Sequence, residues 1–328
     1  MRIGLDAMGG DLGVAEIVAG ALDAAELLSS DDRVVLVGDK KQIEAVLPET
    51  GCEHIDIVHA SQAVGMAESP VEAHKSKPDN SIAVMTGLHK KNEIDACISA
   101  GNTGACVAAG LMHLGRLPGV QRPGIAIIAP TAKGPLAICD VGANVNCRPM
   151  HLYQYAVMTS LYMKSVTGIE NPRVALLSVG EEEGKGNSLV KKTTELLKQD
   201  DSINFIGNVE SRDLVKGACD VMICEGFVGN VVLKLIEGVG EGMMKMLVSA
   251  LLEQMPDRKE EILTAVNKIS HMYDANQYGG APLLGVDGIW IICHGASDRL
   301  GIKNAIRVVK ELAADKVNQH ITEILGEK

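Results

Sequence analysis

The chain has 328 residues, enough for a substantial core in about two units or one large α/β domain. Its 42 Asp and Glu outnumber 31 Lys and Arg for a net charge of −11, and with one Trp, five Tyr and two Phe it lacks both the basic face and the stacking aromatics that a nucleic-acid partner would want. Hydrophobic residues at 46% and charged residues at 22% describe a soluble globule and exclude a disordered chain.

In chain order, short β-branched runs alternate with stretches of helical period, the pattern of a mostly parallel sheet covered by crossover helices. Strands are predicted at 2–6, 34–38, 55–59, 96–99, 125–129, 137–141, 174–179, 204–207, 221–224 and 289–293. The clearest helices are predicted at 14–28, 81–91, 103–114, 149–166, 188–199, 230–253 and 300–324. No Ser/Pro-rich linker divides these elements, so a single α/β unit is expected over 1–328. The stretch 237–278 departs from the alternation: two helical segments follow each other around Pro256 and Asp257, which predicts a projecting helical hairpin. Its first arm carries Met243, Met244, Leu247, Val248, Leu251 and Leu252, and reads either as a dimer or core surface or as contact with a membrane.

The opening MRIGLDAMGGD places Asp6 and Asp11 where a signal peptide would be apolar, and no window reaches about 18 consecutive apolar residues, so the cytosol is the expected compartment. The eight Cys contain no C-x-x-C and mostly sit in apolar runs, reading as reduced, buried small hydrophobes. Walker A, G-x-G-x-x-G, H-E-x-x-H and G-x-S-x-G signatures are all missing, which removes the main support for hydride transfer on a standard dinucleotide site, zinc hydrolysis and a serine elbow.

What remains is Gly, which totals 35 residues and gathers in short bursts after predicted strands. They are DAMGGD (6–11), SAGNTGA (99–105), DVGANVNCRP (140–149), SVGEEEGKGN (178–187), GFVGNVVLK (226–234) and GGAPLLGVDG (279–288), the last leading into HGASD. Ligands of open α/β sheets bind outside the carboxyl ends of strands, so the bursts are expected to converge on one crevice. Gly lets an anion approach the unpaired N–H groups of a helix N-terminus, and Asn102 and Asn230 could add amide donors while Lys185 and Arg148 supply full charges. The set points to a phosphate-sized cradle at Gly9, Gly10, Asp11, Gly101, Asn102, Thr103, Gly104, Asn144, Arg148 and Gly229. His294 follows a strand at a position fit for a catalytic group, and equally for a structural histidine. Cys147 beside Arg148 is a weaker candidate, as a nucleophile. The run Glu181, Glu182 and Glu183 reads as a solvated loop; no metal is assigned to it.

These motifs, together with NPRVALLSVGEEEGKGN, INFIGNVE and YGGAPLLG, resemble in order and spacing those of the bacterial acyl-ACP:phosphate acyltransferases of the PlsX type, over the whole chain. Glu225 departs from that family's pattern, standing where Asp usually precedes Gly-Phe. The resemblance implies a three-layer α/β/α fold similar to isocitrate and isopropylmalate dehydrogenases, a homodimer, and peripheral attachment to the inner face of the cell membrane. It implies the transfer of a long-chain acyl group from acyl carrier protein to inorganic phosphate without a cofactor, feeding a downstream membrane acyltransferase of phosphatidic acid synthesis. In that reaction phosphate itself attacks the thioester, so the protein must hold reactants in line and stabilise an oxyanion. Asn230 and the glycines would form the pocket, Lys185 would neutralise phosphate or polarise the carbonyl, and His294 would manage the proton near the leaving thiolate. A basic docking patch for the acidic carrier is expected near Lys185, Lys191 and Lys192, or near Arg299 and Lys303. Open alternatives are a short-chain acyl-CoA:phosphate acyltransferase and a non-catalytic carrier-protein scaffold at the membrane.

Overall fold

Residues 1–48, 52–272 and 274–326 are described by a computed structural model of the chain. The strands are β1 (Arg2–Asp6), β2 (Arg33–Gly38), β3 (Ile55–His59), β4 (Ala96–Ser99), β5 (Gly124–Thr131), β6 (Gly134–Cys139), β7 (Val174–Leu177), β8 (Phe205–Val209), β9 (Val221–Ile223), β10 (Ala281–Leu284) and β11 (Ile289–Ile292). They make one sheet in the order β3-β2-β1-β4-β11-β10-β5-β6-β9-β7-β8. All neighbours are parallel except β10 with β11, β10 with β5, and β5 with β6. The sheet therefore consists of two parallel halves whose strands run in opposite directions, joined through β10 and β5.

Because side chains alternate along a strand, a strand covered on both faces must be apolar at every position. Val34 and Leu36 enter one core with Ile3, Leu5 and Ile98, while Val35 and Val37 enter the other with Cys97 and Met85. The helices are α1 (Val14–Asp23), α2 (Lys40–Glu44), α3 (Pro70–Ser76), α4 (Ser81–Lys90), α5 (Thr103–Ala109), α6 (Pro149–Thr167), α7 (Ser188–Lys198), α8 (Gly226–Gln254), α9 (Lys259–Met272), α10 (Arg299–Ala314) and α11 (Val317–Leu325). Residues of α1, α6, α7, α10 and α11 fill the first core and those of α4 and α5 the second, which makes the fold three-layered α/β/α. Each fully buried Leu or Ile contributes roughly 1.5–3 kcal/mol, so these two layers are the main source of stability.

Three departures from the sequence reading have local causes. Strand β10 lies in a segment that reads as a turn, because Gly279, Gly280 and Pro282 mask it, and it survives by antiparallel pairing with β11 and β5. The long C-terminal helix is two helices, broken where Lys316 takes a left-handed φ of 50°. Helix α8 starts at Gly226 because the Glu225 carboxylate accepts from the Phe227 and Val228 amides and caps it. All eight cysteines are free thiols and six are buried, as the apolar runs predict.

Helix α8 buries only Gly226 and Gly229. Phe227, Leu235, Met243, Met246 and Leu247 are all exposed, leaving α8 an open apolar surface packed chiefly against α9 in the predicted hairpin.

Candidate active site

The contacts among the glycine-rich bursts form two groups, one on each half of the sheet. Among the described residues no hydrogen bond or ion pair joins the groups. The opposed strand directions explain the split, since the carboxyl ends of β1, β4 and β11 belong to one half and those of β6, β9 and β7 to the other.

The first group gathers DAMGGD, SAGNTGA and HGASD. Asp6, the last residue of β1, is buried, and its carboxylate accepts from the Met8 amide at 3.0 Å and the Ser99 hydroxyl at 2.7 Å. Burial pushes the Asp6 carboxyl up, against the lowering influence of Ser81 and Ser99. Ser99 Oγ accepts in turn from the Gly101 amide at 3.0 Å. A Cβ on Gly9 would lie 2.6 Å from the Gly101 nitrogen, so this glycine is required by the close approach of two backbones. Asp11 donates its amide to Gly295 O at 2.7 Å, tying the N-terminal loop to the segment after β11. Gly10 takes φ +91° within that turn.

Asn102 does not offer the free amide expected of it. Its Oδ1 caps α5 by accepting from Ala105, and its Nδ2 donates to the carbonyls of Gly65, Met66 and Glu68. It fastens the loop before α3 onto α5, where Pro70 also sits over Gly104, 2.6 Å from a Cβ placed there. The Gly101 amide is likewise turned inward, to Ser99. Open to a ligand at this helix start is the exposed Thr103.

The second group gathers DVGANVNCRP and GFVGNVVLK around Asp140, which is fully buried. Its Oδ1 accepts from the amides of Ile125, Gly142 and Ala143, and its Oδ2 from the Asn144 amide at 2.7 Å and from Asn144 Nδ2. Asn144 Nδ2 also reaches Pro123 O at 2.6 Å and Tyr155 Oη at 2.9 Å, so the expected phosphate contact of Asn144 is replaced by a structural one. Gly229, expected in the pocket, serves packing: its ideal Cβ would lie 1.9 Å from Asp140 O. Its neighbour Asn230 is exposed beside Gly142, and among the described residues its side chain has no hydrogen-bond partner. Arg148, one residue before α6, is exposed and has no ion-pair partner among the described residues.

The burst 178–187 follows β7, which neighbours β9 in the sheet. Lys185 is exposed and its aliphatic stem covers Gly180. In the same loop Glu183 pairs with Lys198, and among the described residues no group of three His, Cys, Asp or Glu could hold a metal. A cleft of about 670 Å³ opens nearby against β8, lined by Glu181, Glu183, Lys198 and Asn208; it holds none of the candidate residues and is poorly charged for an anion. His294 is exposed and accepts the Ala296 amide at Nδ1, while among the described residues Nε2 has no hydrogen-bond partner.

Cys147 is half-buried with Sγ 3.5 Å from Asn144 O. Burial, with the Asp140 and Glu225 charges, pushes its thiol up to about 11, so the nearby Arg148 does not activate it. Its thiolate at pH 7 should be about a hundredfold scarcer than in a free cysteine, and iodoacetamide trapping should be slow accordingly. Cys147→Ala is expected to keep turnover within about twofold; a dead variant would restore the nucleophile. The patch expected at Arg299 and Lys303 is also corrected, because these cations are neutralised by Asp23 and Glu26. Lys185, Lys191 and Lys192 have no ion-pair partner among the described residues and all are exposed.

The residues missed in the sequence are those that hold the loops: Asp6 with Ser99, Asp140 and Tyr155 each through Asn144, and Glu225. Their signal was present, since Asp6 and Asp140 each close an apolar run and precede small residues whose amides turn back on a carboxylate.

The class of fold is that of solved phosphotransacylases. The phosphotransacetylase from Streptococcus pyogenes superimposes with a TM-score of 0.65 at 15% identity, covering 97% of this chain and 94% of that one. The dehydrogenase likeness holds at 0.54 for 4-hydroxythreonine-4-phosphate dehydrogenase from Klebsiella pneumoniae, 14% identical over 95% of this chain and 99% of that one. In sequence, residues 1–320 match the model of the family described as fatty acid synthesis protein. The phosphate acyltransferase of Desulforamulus reducens is 47% identical, covering 99% of this chain and 97% of its own length, and that of Nitratidesulfovibrio vulgaris (strain DP4) 43%, covering 98% and 94%. The chain belongs to the fatty acid synthesis protein family and is an acyltransferase.

Proposed function

We propose that this acyltransferase moves a long-chain acyl group from the thioester of acyl carrier protein to inorganic phosphate, giving acyl phosphate and free carrier protein for a downstream membrane acyltransferase of phosphatidic acid synthesis. The observation that carries this reading is full-length identity of 43% to 47% with relatives named phosphate acyltransferase. The groups left unpaired among the described residues, Asn230, Lys185 and Arg148, suit it: an amide donor and two cations for an anion and a developing oxyanion.

A phosphate oxygen attacks the thioester carbonyl, the C–O bond forms, and collapse of the tetrahedral oxyanion breaks the C–S bond. The phosphate proton passes to the departing thiolate, with His294 as its carrier. Asn230 donates to the oxyanion, while Lys185 and Arg148 hold phosphate against its own repulsion from an acidic protein. The carrier docks on the face bearing Lys185, Lys191 and Lys192.

The test is purified protein with palmitoyl-loaded carrier, with and without phosphate, reading free thiol and trapping acyl phosphate as hydroxamate. Phosphate-dependent thiol release with matching hydroxamate supports the reading. Phosphate-independent release would mean a thioesterase, and binding without release a scaffold. Palmitoyl-CoA accepted as readily as the loaded carrier would remove the carrier's special role.

Among the described residues no helix is long and apolar enough to cross a membrane. The exposed face of α8 instead supports two contacts, a second copy of the chain making a homodimer and the inner membrane surface meeting the far end of the hairpin. Leu251→Glu with Leu252→Glu should abolish flotation with anionic liposomes; unchanged flotation rules out lipid contact at that end.

A further inference from the structure

We propose that Asp140 is the positioning residue of the acyl transfer: its buried carboxylate fixes loop 142–144 and the start of α8 as one piece, and so determines where Asn230 stands. The proposal rests on the reading above, in which Asn230 donates to the oxyanion.

Among the described residues the Asp140 carboxylate accepts from four backbone amides and from Asn144 Nδ2. A carboxylate accepts at both oxygens, so one side chain can turn the Gly142, Ala143 and Asn144 amides inward together. The loop so shaped seats α8. Gly226 donates to Asn144 O at 2.8 Å, and its ideal Cβ would lie 2.7 Å from Asp140 Oδ2, so the helix begins in contact with the carboxylate itself. One turn on, Gly229 lies against Asp140 O, and Asn230 comes beside Gly142. No other described side chain bonds both the loop and its Asn144 anchor. Asn at this position would keep one accepting oxygen but set an NH₂ group against the Asn144 amide now 2.7 Å away, donor against donor.

The experiment is a double-variant cycle on kcat for Asp140→Asn, Asn230→Ala and the pair, with near-UV circular dichroism and thermal midpoints alongside. If Asp140 acts through Asn230, Asp140→Asn loses roughly thirtyfold or more in kcat and Asn230→Ala about a hundredfold or more, and the double variant falls no more than about twofold below the worse single. The KM for the acyl donor should move little. A merely structural role would instead multiply the two losses, and that result, or wild-type turnover in Asp140→Asn, overturns the proposal. Should Asp140→Asn fail to fold, Asn144→Ala removes only the side-chain donor. Its smaller kcat loss must vanish in the Asn230→Ala background, and persistence of that loss overturns the proposal. Wild-type turnover in Asn230→Ala alone overturns the oxyanion assignment first and this proposal with it, and is read from one variant without the cycle.

Discussion

Replacing Asn230 by alanine is expected to lower turnover about a hundredfold or more while the protein stays folded, the usual cost of one well-placed oxyanion donor. The expectation of an intact fold comes from its surroundings. Asn230 lies near the N-terminal end of α8, is exposed, and among the described residues its side chain contributes no hydrogen bond to the fold. Alanine is also the better helix former, so α8 itself should not suffer. Steady-state kcat by hydroxamate trapping, with the thermal midpoint as control, measures this directly. A near-normal rate with an unchanged midpoint would move the oxyanion site elsewhere, with Thr103 at the start of α5 next in line.

Gly229→Ala should act more severely, on stability and turnover together. Its new methyl would stand 1.9 Å from Asp140 O and 3.0 Å from Cys224 Sγ, where the nearest obstacle is backbone and no rotamer can relieve it. Overpacking of this sort typically costs about 1–3 kcal/mol, and relief requires sliding α8 off the loop that seats it, which displaces Asn230 as well. The same substitution at Gly238 on the same helix meets nothing within 4 Å. Gly238→Ala should therefore be neutral or stabilise α8 by up to about 1 kcal/mol. Thermal melts of the two variants separate steric exclusion from helix propensity: similar midpoints would mean that the contact at position 229 is not as drawn.

The α/β alternation was legible because period is a strong signal over buried strands such as Val34–Val37, apolar on both faces. The reversal of strand direction across the sheet was not, because β10 depends on long-range pairing that overrides the turn propensity of Gly280 and Pro282. At the candidate site, the positions of the loops were readable and the direction of their donors was not. Gly101 and Asn102 have the composition of an anion cradle, yet which way an amide points is decided by Ser99 and by the carbonyls of residues 65–68, remote in sequence from Asn102. Exposed cations fared differently: Lys185 and Arg299 look alike in the sequence, and only spatial neighbours reveal that Arg299 is already neutralised by Asp23.

The inward amides also bear on when the shape of these loops is set. With Gly101 held by Ser99, and Gly142, Ala143 and Asn144 held by Asp140, the loops take their form as the chain folds and need not be ordered by an arriving substrate. In deuterium exchange these four amides should be among the slowly exchanging positions of the unliganded protein, unlike ordinary surface loops, and phosphate should slow them little further.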